Sequence, residues 1–146
     1  MDHTSNGFDL SEFLPYRMTV AAEKLSAGMA RRYRDEFGIS VPEWRVLVHV
    51  ADAGSVSIRD INTRVHLEKS KASRAASRLE AAGLLKKEVD AHDRRLVALT
   101  LTGEGRALMD RLTVIAQDYQ ARLDSLIAPH LSALDAALSK LMTEDL

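Results

Sequence analysis

The sequence predicts a mainly α-helical fold with one small β-hairpin. Three observations carry this expectation. Apolar residues recur at three- and four-residue spacing through most of the chain, capping residues and glycines punctuate those runs, and the periodicity changes to alternation between residues 84 and 101. A length of 146 residues with 46% hydrophobic content suits one domain, over residues 1–146, with a core of its own.

Each element has a local reason. Asp9 followed by Glu12 reads as a capping box opening a first helix that runs to about Phe37, where Gly38 supplies a left-handed stop. Ser40, with Pro42 and Glu43 in the next turn, starts a second helix whose apolar Trp44, Leu47, Val48 and Ala51 lead to Gly54. Ser57 and Asp60 cap a short third helix from Ile58 to about Arg64, with Ile58, Ile61 and Val65 as its buried stripe. A fourth helix spans roughly Glu68 to Ala82. Its wheel puts Ser70, Lys71, Arg74, Ser77 and Arg78 on one face and Ala72, Ala75, Ala76, Leu79 and Ala82 on the other. The small residues of that second face let a helix lie close to its neighbours. Gly83 ends it, and Leu84 to Val89 and Arg95 to Leu101 read as two strands joined by a charged tip. Thr102 caps a fifth helix with a long stripe of Leu108, Leu112, Ile115, Tyr119, Leu123 and Leu126, and Pro129 separates it from a last helix, about Leu131 to Met142.

Composition narrows the function classes. The chain has no cysteine, so a disulfide framework, a thiolate metal site and a thiol redox switch are excluded. No run of eighteen apolar residues and no basic leader occurs, and the cytoplasm is the expected location, with no membrane association. The net charge of −1 argues at first against nucleic acid, but the charge is unevenly placed. Residues 59–95 hold ten basic and six acidic side chains, a net of +4, which leaves −5 for the rest. A basic surface on an acidic body fits a polyanionic partner; an ordinary solvated helix pair is the plainer reading.

Short helix, turn, polar-faced helix and hairpin is the order of a winged helix-turn-helix, in which the second helix enters the major groove of double-stranded DNA and the hairpin reaches the adjacent backbone or minor groove. Lys71 and Arg74 are the candidates for base edges; Lys69, Ser70, Ser77 and Arg78 suit phosphates or bases. Ser70 and Ser77 are poor helix formers where a merely solvated face would prefer alanine or glutamate.

At these residues the sequence resembles a known family. "HLEKSKASRAASRLEAAGLL" followed by "DAHDRRLVALTLTGEG" is similar to the recognition helix and wing of MarR-family transcriptional regulators, including the D-x-R wing tip and the L-T-x-x-G entry to the next helix. The resemblance implies a winged-helix homodimer of obligate-dimer architecture, with residues 1–37 and 103–146 as dimerisation helices and 40–101 as a DNA-binding lobe. It further implies that Arg95 enters the minor groove while Asp93 holds the tip or that arginine by an ion pair. A guanidinium there senses the negative potential of a narrow groove. Arg94 and Lys86 or Lys87 would add phosphate contacts.

Competing chemistries find less support. Asp90, His92 and Asp93 could ligate a metal, but one imidazole on a hairpin tip makes no rigid cage. No nucleophile elbow, glycine-rich phosphate loop or paired-histidine motif occurs, so neither an enzyme nor a bound cofactor is expected. A winged helix serving only as a protein-interaction module would carry an apolar or acidic face on the fourth helix, where this chain has Lys71, Arg74 and Arg78. Tyr16 and Arg17 on the first helix and Trp44 and Arg45 on the second resemble a MarR subgroup that senses aromatic acids or their thioesters. An arginine beside an aromatic ring suits a small aromatic carboxylate or its CoA thioester as effector, with Arg17 as anchor. The plainer reading has Trp44 in the core and the arginines in ion pairs.

Overall fold

Helix α1 occupies Leu14–Phe37. Its start differs from the expected capping box: Asp9 caps a separate 3-10 turn, Leu10–Glu12, by accepting the Ser11 N–H at 3.0 Å. Phe13 is the N-cap of α1 without a side-chain bond, and Pro15 in the first turn lacks the N–H that would otherwise go unsatisfied. The computed structural model describes residues 7–90 and 92–146, so the segment 1–6 of the expected dimerisation region and the hairpin position 91 lie outside the described residues. Gly38 ends α1 in the left-handed region at φ 66°, its N–H donating to Arg34 O at 2.8 Å.

Helix α2, Val41–Ala53, opens with a reciprocal cap. The Glu43 N–H donates to Ser40 Oγ at 3.3 Å, and Ser40 Oγ donates to Glu43 Oε1 at 2.7 Å. The expected third helix is shorter than the spacing suggested. Ile58–Asp60 form a 3-10 turn and α3 proper is Ile61–Val65. Helix α4 is Lys69–Ala81, so Ala82 lies past its end and is exposed, while Ala72, Ala75, Ala76 and Leu79 are buried.

The strands are β2, Leu85–Val89, and β3, Val97–Leu101, antiparallel with Leu85 opposite Leu101 and Val89 opposite Val97. A third strand escaped the sequence reading. β1, Val56–Ser57, pairs with β3 through Val56 opposite Leu99 and Ser57 opposite Ala98, which gives the sheet order β1-β3-β2. Two residues are too few to show alternation; β3 supplies the hydrogen bonds that define the strand. The fold is a winged helix-turn-helix of mainly α composition.

Two units are present, residues up to Asp110 and Arg111–Leu146. In the first, Val46, Leu47 and Val50 of α2, Ile61 and Val65 of α3, Leu79 of α4, Leu85 of β2 and Leu99 of β3 are buried, and α4 packs on both α2 and α3. Alanines on the inner face of α4 make this close approach possible, because a larger side chain there would hold the helices apart. The junction from wing to helix α5, Gly103–Leu126, is tied by Thr102. Its Oγ1 accepts the Gly105 N–H at 3.0 Å and donates to Gly83 O at 2.6 Å, and its N–H donates to Leu84 O at 3.1 Å.

The second unit holds the remainder of α5, a 3-10 turn at Ala128–His130 and α6, Leu131–Thr143. Much of its apolar stripe is exposed, with Leu126, Leu131, Leu134, Leu141 and Met142 all open to solvent.

Candidate nucleic-acid interface

The turn that launches α4 is set by a residue in an unusual conformation. His66 caps α3 at φ 55°, and the Leu67 N–H donates back to Asn62 O at 3.1 Å. Such a left-handed residue reverses the chain within a few positions, so α4 crosses α3 instead of continuing it. With the alanine face buried, Ser70, Lys71, Ser73, Arg74, Ser77 and Arg78 all remain exposed.

These exposed groups differ in how free they are. Lys69, Lys71 and Arg74 make no ion pair among the described residues, so their charges are available to an external anion. Arg78 is tied to the second helix, its Nε 3.8 Å from Glu43 Oε1, the carboxylate that also closes the α2 cap. The Ser70 hydroxyl donates to Glu68 Oε1 at 2.8 Å. Ser77 lines a small crevice of about 100 Å³ with Lys69 and Lys87.

The hairpin tip is organised by its two aspartates. Asp90 Oδ1 accepts the N–H groups of His92 at 2.7 Å and Asp93 at 2.9 Å, and these backbone donors hold its carboxyl below the usual range. Asp93 accepts the Arg95 Nε at 3.1 Å and Nη2 at 3.4 Å, together with the Arg95 backbone N–H at 3.0 Å. The Arg95 side chain and backbone bonds depress the Asp93 carboxyl, with Arg59 adding to the effect. Arg95 itself is 90% exposed, so the pair orients a guanidinium at the surface and adds little to stability. Arg94 is exposed without an ion pair among the described residues. Lys86 and Lys87 reach Glu88 and Glu80 at 3.1 and 3.7 Å. Among the described residues no cluster of histidine and carboxylate groups is arranged to hold a metal ion.

The residues singled out for an effector do not converge. Tyr16 and Arg17 are exposed on the first turns of α1. Trp44 stacks on the fully buried Tyr33, with ring centroids 5.3 Å apart and planes 20° apart, which is a packing role. Burial raises the Tyr33 phenol above its usual pKa, and its hydroxyl has no hydrogen-bond partner among the described residues. Arg45 alone of the four lines the open cavity of about 550 Å³ between α1 and α2, where Arg31, Arg34, Glu23, Ser26 and Val41 join it. Arg31 and Arg34 were missed because "ARRYRDEF" reads as an ordinary charged helix end. Only the fold of α2 against α1 brings Arg45 to them.

The turn-launched α4, with cations unpaired among the described residues, thus stands in the same lobe as a hairpin tipped by Asp93, Arg94 and Arg95. Residues 37–96 match the MarR family. That segment runs from the last residue of α1 through α2, α3 and α4 to the wing tip, and stops before β3. Among curated proteins the chain is similar to the HTH-type transcriptional regulator TtmR of Methylorubrum extorquens (strain PA1), 25% identical over 112 residues. The match takes in 75% of this chain and 57% of that protein, so the chain spans less than two thirds of the relative's length. A MarR family transcriptional regulator of Silicibacter pomeroyi DSS-3 superposes with a TM-score of 0.78 at 29% identity, covering 92% of this chain and 96% of that one. BpsR of Bordetella bronchiseptica, whose DNA binding is regulated by 6-hydroxynicotinic acid, gives the same TM-score at 24% identity, covering 96% and 100%. The proteins that the chain is similar to are thus HTH-type and MarR-family transcriptional regulators. Among the described residues no helix is long and apolar enough to cross a membrane.

Proposed function

We propose that this chain is a cytoplasmic MarR-family regulator without catalytic activity, which binds a pseudo-palindromic operator as a homodimer, acts as a repressor and is released by a small aromatic carboxylate. The observation that carries the DNA reading is the exposed face of α4, where Lys69, Lys71 and Arg74 have no carboxylate partner among the described residues. A winged helix serving only as a protein-interaction module is expected to carry an apolar or acidic face there instead. The homodimer reading draws on the exposed leucines of α5 and α6, since apolar patches of that kind are ordinarily covered by a second surface.

A two-fold dimer presents its α4 helices about 34 Å apart, one turn of DNA. Duplexes selected from random sequence should therefore show two inverted half-sites with centres about 10 base pairs apart, and light scattering should give twice the chain mass. A monomer that binds a single half-site tightly would overturn the dimer reading, and failure to select any duplex would overturn the DNA reading.

Effector release is assigned to the α1–α2 cavity, with Arg45 as anchor and Arg31 and Arg34 in support, in place of Arg17, which lies off that cavity. The cavity joins three guanidinium groups to an apolar wall, a combination suited to a carboxylate on a ring. BpsR responds to such an acid. Hydroxylated benzoates, nicotinates and phenylacetates, each also as the CoA thioester, are titrated against the protein–duplex complex. Arg45→Ala should raise the acid concentration needed for release by about thirtyfold, as expected for one charged hydrogen bond worth about 2 kcal/mol, and Arg17→Ala should leave it unchanged. Release by the thioesters alone would change the effector class, and equal titrations of all three proteins would remove Arg45 as the anchor.

A further inference from the structure

We propose that Arg59, with Lys69 and Lys87 and with Arg95 at its exposed rim, forms a seat for one DNA backbone phosphate in the crevice between the start of α3 and the wing. This inference rests on the DNA-binding reading above and adds Arg59, which lies outside the α4 face and the hairpin tip, as an anchoring residue.

The crevice encloses about 450 Å³, and its lining contains those four cations and no carboxylate. Ile58, Leu96 and Val97 form an apolar wall. Like charges set on a low-dielectric wall focus their field into the space between them, which favours an anion there over open solvent. The counter-charges stand outside the lining; Asp93 holds Arg95 at 3.1 Å, and the pairs of Arg59 and Lys87 are looser. Asp60 is 4.0 Å from Arg59, Glu80 is 3.7 Å from Lys87, and both pairs are solvent-exposed, so they contribute little and exchange readily for a phosphate. Lys69 has no such partner among the described residues.

Three elements build the seat. The Val56–Ser57 strand anchors the Arg59 turn to β3, α4 contributes Lys69 from its first position, and the hairpin contributes Lys87 and Arg95. In a winged helix-turn-helix, α4 and the wing reach neighbouring grooves, and the backbone strand between those grooves passes this crevice. A phosphodiester is therefore the occupant, because it is the anion that this strand must present. The seat contributes position and affinity without reading bases.

The test is the salt dependence of binding to a selected operator duplex and to a scrambled duplex of equal length. Removing one phosphate-neutralising cation should reduce the slope of log K against log salt by about 0.9 per protomer. Arg59→Gln should show that reduction on both duplexes alike, Arg59→Lys should restore the parent slope, and Lys24→Gln, an exposed charge on α1, should leave it unchanged. Thermal melts of the variants should coincide with the parent. A parent-like slope for Arg59→Gln overturns the seat while leaving DNA binding intact, and a reduced slope in Arg59→Lys overturns the charge argument. Sensitivity of Arg59→Gln confined to binding of inorganic phosphate, with the duplex slope unchanged, would assign the crevice to a free anion instead. A parent protein that binds neither duplex brings down the functional reading and the seat together.

Discussion

Arg74→Ala is expected to cause the largest loss of DNA affinity of any single substitution on α4. The side chain is exposed in the middle of the helix, on the face opposite Ala75 and Ala76, and no carboxylate competes for it among the described residues. A guanidinium that bonds both acceptors of a guanine edge is worth about 1 to 3 kcal/mol of discrimination. The proposed homodimer would carry two copies, so additive losses would come to about 2 to 6 kcal/mol, or roughly 30-fold to 10⁴-fold in affinity. The loss should concentrate on one base position in each half-site. Arg95→Ala should act differently, lowering the preference for a narrow minor groove and leaving base preference at the half-site centres intact. Competition binding across single-base variants separates the two. Uniform weakening by Arg74→Ala over all variants would reassign that residue to a phosphate, and unchanged affinity for Arg95→Ala would leave the Asp93–Arg95 pair as a turn closure only.

Gly105→Ala should be the most destabilising small substitution in the wing region. Gly105 is buried in the first turn of α5, and a methyl group there would overlap the Leu84 carbonyl oxygen, with Leu84 C at 3.0 Å and Leu101 Cδ2 at 3.2 Å. The obstructing atom belongs to backbone already bonded to the Thr102 N–H at 3.1 Å, so no side-chain rotation relieves the clash. Overpacking of this kind costs up to about 3 kcal/mol. That corresponds to a fall of roughly 6 to 12 °C in Tm at about 2 to 4 °C per kcal/mol. Gly103→Ala is the matched control, because a Cβ at Gly103 meets nothing within 4 Å. Equal melting temperatures for the two variants would remove the steric argument. Because Leu84 leads into β2, the shift forced by Gly105→Ala should also displace the wing and reduce DNA affinity.

This second case explains why part of the site could be read from residue order. The L-T-x-x-G pattern is visible as a string, and the structure supplies its cause: the threonine needs its hydroxyl for Gly105 N–H and Gly83 O, and the glycine needs to be bare against Leu84. The polar and alanine faces of α4 were equally legible, since helical periodicity assigns each residue to a side without reference to the rest of the molecule. Local signals also placed Gly38, the Ser40–Glu43 cap and the hairpin. Asp9 marked a helix start correctly in kind, but its bond to Ser11 closes a 3-10 turn before α1 begins.

Local chemistry thus determined the elements, their order, the buried and exposed faces of α4 and the charged wing tip, because each depends on interactions a few residues apart. The fold decided everything that depends on residues far apart in the chain. Val56–Ser57 became a strand through β3, more than forty positions away, and Trp44 became a packing residue through Tyr33. Arg78 was drawn to Glu43, while Arg45 joined Arg31 and Arg34, and Arg59 joined Lys69, Lys87 and Arg95. Long-range neighbours are chosen by how whole faces pack, and a periodic pattern states which face is apolar without naming what it will meet.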